Sequence, residues 1–214
     1  MIFLSTGNKN YNELIKQITP YKNVEIRLDL CHLNENQVKE LFAMDIDFIV
    51  TFRGNLDSHK FNFYKIAIES GAKYCDIDFK ENQKIRENIK NICKLNNCKL
   101  IYSYHNFEDT PSLPILKKII EKIEEEEANL IKIVCTANNL EDTLNIMELY
   151  KYYDNLIAFS MGELGKFTRI FSSINGAKIS YAALDNSIKN KTEKTAPGQL
   201  EFNKLSTILE LLNG

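Results

Sequence analysis

Residues 24–30 read VEIRLDL, apolar at every even position and charged at every odd one. Side chains of an extended strand alternate sides, so Val24, Ile26, Leu28 and Leu30 share one face while Glu25, Arg27 and Asp29 share the other. On an antiparallel sheet the charged face would be wet. Whether it is wet or enclosed here depends on the rest of the chain.

Comparable β-type runs occur at Ile2 to Thr6, Asp47 to Arg53, Lys73 to Phe79, Lys99 to His105, Leu130 to Thr136, Leu156 to Met161 and Ala177 to Ala183, which with Val24 to Leu30 makes eight. Helical patterns follow each of them, among them NENQVKELFAM, NQKIRENIKNICKLN, GKFTRIFSSI and a final QLEFNKLSTILELL. Strict alternation implies parallel pairing through right-handed crossovers, and eight such units predict a (β/α)8 TIM barrel, one α/β domain over residues 1–214. A doubly wound open sheet is the weaker alternative. The one long irregular stretch, LDNSIKNKTEKTAPG from Leu184 to Gly198, connects the last strand to the last helix. In a barrel that connection lies at the catalytic end, which predicts an active-site lid over 184–198.

With 44% hydrophobic and 26% charged residues, the 214-residue chain has the composition of a folded protein, not a disordered one. A net charge of -2 gives no general attraction to nucleic acid or to an anionic membrane, so neither is an expected partner. The apolar runs are strand-sized and the start, MIFLSTGNKNY, has no basic n-region or cleavage site; a cytoplasmic protein is expected. Five cysteines, Cys31, Cys75, Cys93, Cys98 and Cys135, form no CxxC and are read as reduced and structural.

Inside a closed barrel, one strand face packs on the helices and the other points inward, so the charges of VEIRLDL belong inside. The same alternation brings in Thr51 and Arg53 of DFIVTFR, Asp76 and Asp78 of KYCDIDF, Ser103 and His105 of KLIYSYH, and Lys132 of LIKIVCT. Barrel interiors are ordinarily filled with branched apolar side chains, and an unpaired buried charge is costly. Glu25, Asp29, Asp76 and Asp78 can pair with Arg27, Arg53, Lys132 and an arginine from a loop. For Asp29, Asp76 and Asp78 an architectural ion network is the expected role; Lys132 and His105 are expected to do chemistry.

Lys132 lies mid-strand between Ile131 and Ile133, where a surface lysine rarely sits. An ordinary lysine is almost wholly protonated at neutral pH, and desolvation or nearby arginines favour the free amine that a nucleophile needs. His105, on the preceding strand at its C-terminal end, offers proton transfer near neutrality. The glutamate run EKIEEEEANL reads as a solvated helix face, and His32 and His59 lack ligand spacing, so no metal site is expected. MGELGKFTR matches neither the P-loop nor the dinucleotide fingerprint; Arg169 is its useful residue.

In order along the chain, EIRLD, TFR, SYHNF, IKI, MGELGKFTR and TAPGQ resemble the motifs of type I 3-dehydroquinate dehydratase, the imine-forming dehydratase of the shikimate pathway. The resemblance covers most of the chain. It implies a (β/α)8 barrel, a homodimer, and dehydration of 3-dehydroquinate to 3-dehydroshikimate with no metal or organic cofactor. By that likeness Lys132 forms the imine, His105 moves the proton and assists loss of water, and Arg169 holds the substrate carboxylate. Thr195 and Gln199 close over the same end, Glu25, Arg27 and Arg53 face the ring hydroxyls and the ketone, and Met161 and Tyr181 form walls. Asp57 of TFRGNLDSH is the nearest match to the acid that orients the histidine, one methylene shorter than the usual glutamate and without the paired glycines. Threonine stands in the lid where serine is usual, and Lys189, Lys191 and Lys194 are available to steer an anion. The rival readings are another imine-forming barrel, such as a class I aldolase acting on a sugar phosphate, and a barrel that binds a ligand without turning it over.

Overall fold

The stretch 24–30 does not stay extended to its end. In the computed structural model, which describes residues 1–54, 56–185, 195–196 and 198–213, strand β2 runs Asn23–Arg27 and Leu28–Leu30 forms a single 3-10 turn closed by the Cys31 amide on the Leu28 carbonyl at 3.1 Å. The turn brings the Asp29 carboxylate back onto the Arg27 guanidinium, with Nε at 2.9 Å and Nη2 at 2.7 Å. Leu30, expected on the apolar face, is 40% exposed. The charged face of β2 is nevertheless enclosed: Glu25 is 4% exposed between the fully buried Val24 and Ile26.

Strands β1 (Ile2–Thr6), β6 (Leu130–Thr136) and β7 (Leu156–Met161) have the bounds expected from sequence. Strand β3 (Asp47–Thr51) is shorter than expected because the Phe52 amide donates to the Tyr64 hydroxyl at 2.8 Å instead of continuing as strand. Strands β4 (Tyr74–Asp78) and β5 (Lys99–Asn106) differ by a residue at their ends. Strand β8 shrinks to Ser180–Ala182: Ala183 bridges Glu201 instead, its amide on the Leu200 carbonyl at 2.8 Å. Helices α1 (Tyr11–Ile18), α2 (Glu35–Phe42), α3 (Ser58–Glu69), α4 (Gln83–Leu95), α5 (Leu113–Glu124), α6 (Leu140–Glu148), α7 (Lys166–Ile174) and α8 (Phe202–Asn213) alternate with the strands. Several start where an Asn or Asp side chain accepts a first-turn amide; Asn34 with Gln37 and Asn139 with Asp142 complete capping boxes. The eight strands follow the sheet order β7-β6-β5-β4-β3-β2-β1-β8, the (β/α)8 arrangement.

The chain divides into two units, Leu4–Ile101 and Met1–Phe3 with Tyr102–Gly214. In Leu4–Ile101, parallel registers align Arg27 with Thr51 and Thr51 with Asp76, so three polar side chains fall in one row. Leu4, Val24, Ile26, Val38, Leu41 and Phe48 are fully buried in its core. In the other unit β6 pairs with β7, aligning Lys132 with Ile157 and Val134 with Phe159. Leu116, Ile120 and Ile123 of α5 and Ile146 of α6 are buried in that unit. All five cysteines are free thiols.

Candidate active site

Lys132 is 4% exposed in the middle of β6, and its Nζ lies 3.9 Å from the centroid of the Tyr181 ring, itself 4% exposed on β8. A cation over an aromatic face is attracted by the ring quadrupole while keeping its charge. The Tyr181 ring meets Phe159 of β7 at 6.2 Å between centroids, tilted by 56°. Phe159 in turn lies under the Arg169 guanidinium, whose Cζ is 4.2 Å from the ring centroid. Lys132, Tyr181, Phe159 and Arg169 thus form one continuous chain of contacts.

The sequence MGELGKFTR explains how Arg169 arrives there. Gly165 precedes α7 so close to the end of β7 that a Cβ would stand 2.4 Å from the Ser160 carbonyl oxygen; only glycine fits. One turn later the Thr168 hydroxyl accepts the Ser160 amide at 2.8 Å and donates to the Gly165 carbonyl at 2.6 Å. Pinned in this way at the residue after Phe159, α7 delivers its next side chain, Arg169, onto that ring. Arg169 is 3% exposed, and burial pushes its guanidinium down to about 10.

His105 lies near the end of β5, 8% exposed, its ring stacked on Phe107 at 5.9 Å and 13°. In the sheet order β5 is the neighbour of β6, which carries Lys132. Met161 ends β7 and is 4% exposed. Thr195 and Gln199 hold each other: the Thr195 hydroxyl lies 3.1 Å from Gln199 Oε1 and 2.9 Å from Nε2, and the Ala196 amide donates to Oε1 at 3.2 Å. Gly198, with φ +75°, sits against the Gly162 carbonyl, where a Cβ would approach to 2.7 Å. Of the expected lid, residues 186–194 and 197, with Lys189, Lys191 and Lys194, lie outside the described residues.

Glu25, Arg53 and Asp76 are held by partners within Leu4–Ile101. Glu25 accepts hydrogen bonds from the Ser5 and Thr51 hydroxyls, the latter at 2.9 Å. Arg53 donates from Nη1 and Nη2 to the two oxygens of Asp76 at 2.9 and 2.8 Å, and its amide donates to Asp29 at 3.2 Å. Burial alone would disfavour the Arg53 charge; the Asp76 carboxylate, then Glu25, outweigh it and hold the guanidinium above its ordinary value. The architectural network expected for Asp29 and Asp76 is therefore present. Asp78 accepts the Lys80 amide at the end of β4.

Asp57 is the N-cap of α3: its carboxylate accepts the Lys60 amide at 2.9 Å and faces the Lys60 ammonium at 3.5 Å, more than half exposed. Its oxygens are occupied by its own helix. Among the described residues no group of His, Cys, Asp and Glu could hold a metal ion. Sequence reasoning missed Phe159 and Thr168. Thr168 was recoverable as the hydroxyl one residue before the arginine in a glycine-started helix, whereas Phe159 looks like any core strand residue.

Comparison with known proteins bears on this arrangement. The sequence model described as type I 3-dehydroquinase matches residues 2–214. A 3-dehydroquinate dehydratase of Pyrococcus abyssi is 38% identical over 161 residues, 75% of this chain and 70% of its own length. That of Methanococcus maripaludis strain C5 is 35% identical over 204 residues, 88% of this chain and 87% of its own. Among solved structures, the type I 3-dehydroquinate dehydratase of Clostridium difficile with covalently modified comenic acid superposes with a TM-score of 0.85 at 25% identity, over 99% of this chain and 91% of that one. The 3-hexulose-6-phosphate synthase of Salmonella typhimurium, TM-score 0.64 at 12% identity over 98% of both chains, shares the fold alone.

Proposed function

The chain belongs to the type I 3-dehydroquinase family, and we propose that it removes water from 3-dehydroquinate, giving 3-dehydroshikimate, through an imine formed on Lys132. The Lys132 ammonium gives up a proton, its amine adds to the substrate ketone, and the adduct takes that proton back as its hydroxyl leaves as water, producing a protonated imine. That cation draws electrons from the neighbouring C–H bond, whose proton His105 accepts, leaving an enamine. The enamine expels the ring hydroxyl, which takes the proton back from His105 and departs as water; hydrolysis of the imine then frees product and lysine. The fork of Arg169 holds the substrate carboxylate in two parallel hydrogen bonds, with Thr195 and Gln199 at the same end. Glu25, Arg27 and Arg53 serve the ring hydroxyls and the ketone, and Met161 and Tyr181 form walls. Asp57, which the family likeness offers as the acid that orients His105, is engaged as the cap of α3. The family likeness also supports a homodimer and a cytoplasmic location; no helix among the described residues is long and apolar enough to cross a membrane.

The observation that carries this reading is Lys132, an ammonium group buried mid-strand against an aromatic face and linked by two rings to a buried arginine. The test is reduction with borohydride in the presence of 3-dehydroquinate: a substrate-derived mass appears on Lys132, and Lys132→Ala loses both the adduct and turnover. An active wild-type enzyme that yields no adduct overturns the imine. Inhibition by phosphate esters but not by quinate-like carboxylates would favour an aldolase, and a heat of binding with no enone absorbance would mean a ligand binder.

A further inference from the structure

Arg169 and Lys132 are bridged by two aromatic rings in series, and the ring under Arg169 belongs to a residue with no role in the reaction outlined above. We propose that Phe159 is a positioning residue: its ring face fixes the Arg169 guanidinium, and its tilted contact with the Tyr181 ring sets the separation between the carboxylate-binding cation and the imine-forming one. The proposal rests on the function proposed above and names what makes that site selective for a carboxylate and a ketone at one spacing.

Three observations support it. The guanidinium Cζ stands 4.2 Å from the Phe159 centroid, within the range of a face-on cation–π contact. Arg169 and Phe159 are both nearly inaccessible, at 3% and 5% exposure, and burial works against the charge, so the attraction of the ring face offsets part of the cost of keeping the cation in place. The backbone is built for this meeting, since Gly165 and Thr168 clamp the start of α7 onto Ser160, the residue beside Phe159. A side chain that only filled space would not need a π face. Methionine, of similar volume, would do as well.

The ring is therefore the variable to test. Phe159→Leu and Phe159→Met are expected to raise KM for 3-dehydroquinate about tenfold while kcat stays within about twofold, and Phe159→Tyr, which keeps the ring, to restore both. In an Arg169→Met background, Phe159→Met should leave KM where Arg169→Met put it. Wild-type KM in the Met variant, a Tyr variant as poor as Leu, or additive effects in the double variant would each overturn the proposal; if Leu fails to fold, the Met variant decides. Should the wild type not turn over 3-dehydroquinate, the function falls separately, and the same variants are read by calorimetric binding of quinate, with ring-independent binding, or none, overturning this proposal as well.

Discussion

Arg53, partly buried with 17% of its side chain exposed, and Arg169, 3% exposed, are both arginines held inside the molecule, and the molecule treats them in opposite ways. In the unit Leu4–Ile101, Arg53 is gripped by the two oxygens of Asp76 and Arg27 by those of Asp29, and Arg53 is held above its ordinary value. In the unit of Met1–Phe3 and Tyr102–Gly214, Arg169 lies on Phe159 and Lys132 on Tyr181, and Arg169 is pushed below its ordinary value. A carboxylate fork fixes a cation and cancels its charge; a ring attracts a cation through its quadrupole without taking up that charge. The first arrangement is suited to architecture and to presenting neutral hydrogen-bonding edges, the second to receiving an anion and a carbonyl.

The contrast is most exposed to failure at Asp76. Asp76→Ala leaves Arg53 enclosed without its counter-charge and should cost about 3–5 kcal/mol of stability by chemical denaturation, whereas replacing Arg53 and Asp76 together by leucine should recover most of that loss. Arg169→Met should behave in the opposite sense. Removing a desolvated cation from an aromatic setting leaves stability unchanged or raises it by roughly 1–2 kcal/mol, while KM for the carboxylate substrate rises about a hundredfold. An Arg169→Met variant as unstable as Asp76→Ala would mean that the two arginines are held by the same kind of interaction after all.

How far this could be read from sequence depends on how local each cause is. The bounds of β1, β6 and β7 were legible because each is a β-type run ending at turn residues, and Lys132 was legible because a lysine between two isoleucines has no surface explanation. The end of VEIRLDL was not. Besides its local closure, the turn holds Asp29 where it receives the amide of Arg53, 24 residues away, and no pattern within the heptapeptide carries that. Strand β8 is short at its end because Ala183 pairs with Glu201, again a distant partner, and at its start because the Ala177 amide is taken by the Ser172 carbonyl at the end of α7. Phe159 escaped for the same reason: alternation marks it as core, and only the placement of α7 turns a core ring into the seat of a guanidinium. Asp57 is the reverse case, since an acid directly before SHKF is a recognisable helix-cap signal, legible without any distant partner.

The clamp that seats Arg169 supplies a smaller effect. Thr168→Val keeps the shape of the side chain but removes the acceptor of the buried Ser160 amide, which should cost roughly 2 kcal/mol and raise KM more than it lowers kcat. Thr168→Ser, with the hydroxyl restored, should recover both. Loss of stability with KM unchanged would separate the clamp from the arginine it precedes.

The smallest effect belongs to Asp57, where the question is whether the carboxylate serves the helix or the reaction. The Lys60 amide hydrogen bond, against an opposing effect of desolvation and with help from the Lys60 ammonium, holds the carboxyl below its ordinary 3.8. A carboxyl lowered in the folded state binds fewer protons there than in the unfolded chain, so its contribution is complete above the unfolded value and disappears as pH falls through the folded one. Asp57→Ala should therefore lower Tm by a few degrees at neutral pH, and the gap from wild type should close on acidification below about 4. Asp57→Asn, which keeps an acceptor for the Lys60 amide, should lie between the two and show little of that pH dependence. A cap has no reason to move kcat beyond the small loss that a looser α3 would bring, whereas a group orienting His105 would lower kcat on the order of a hundredfold and distort its pH profile. A fall of that size in Asp57→Ala, with Tm unchanged, would return the carboxylate to the reaction.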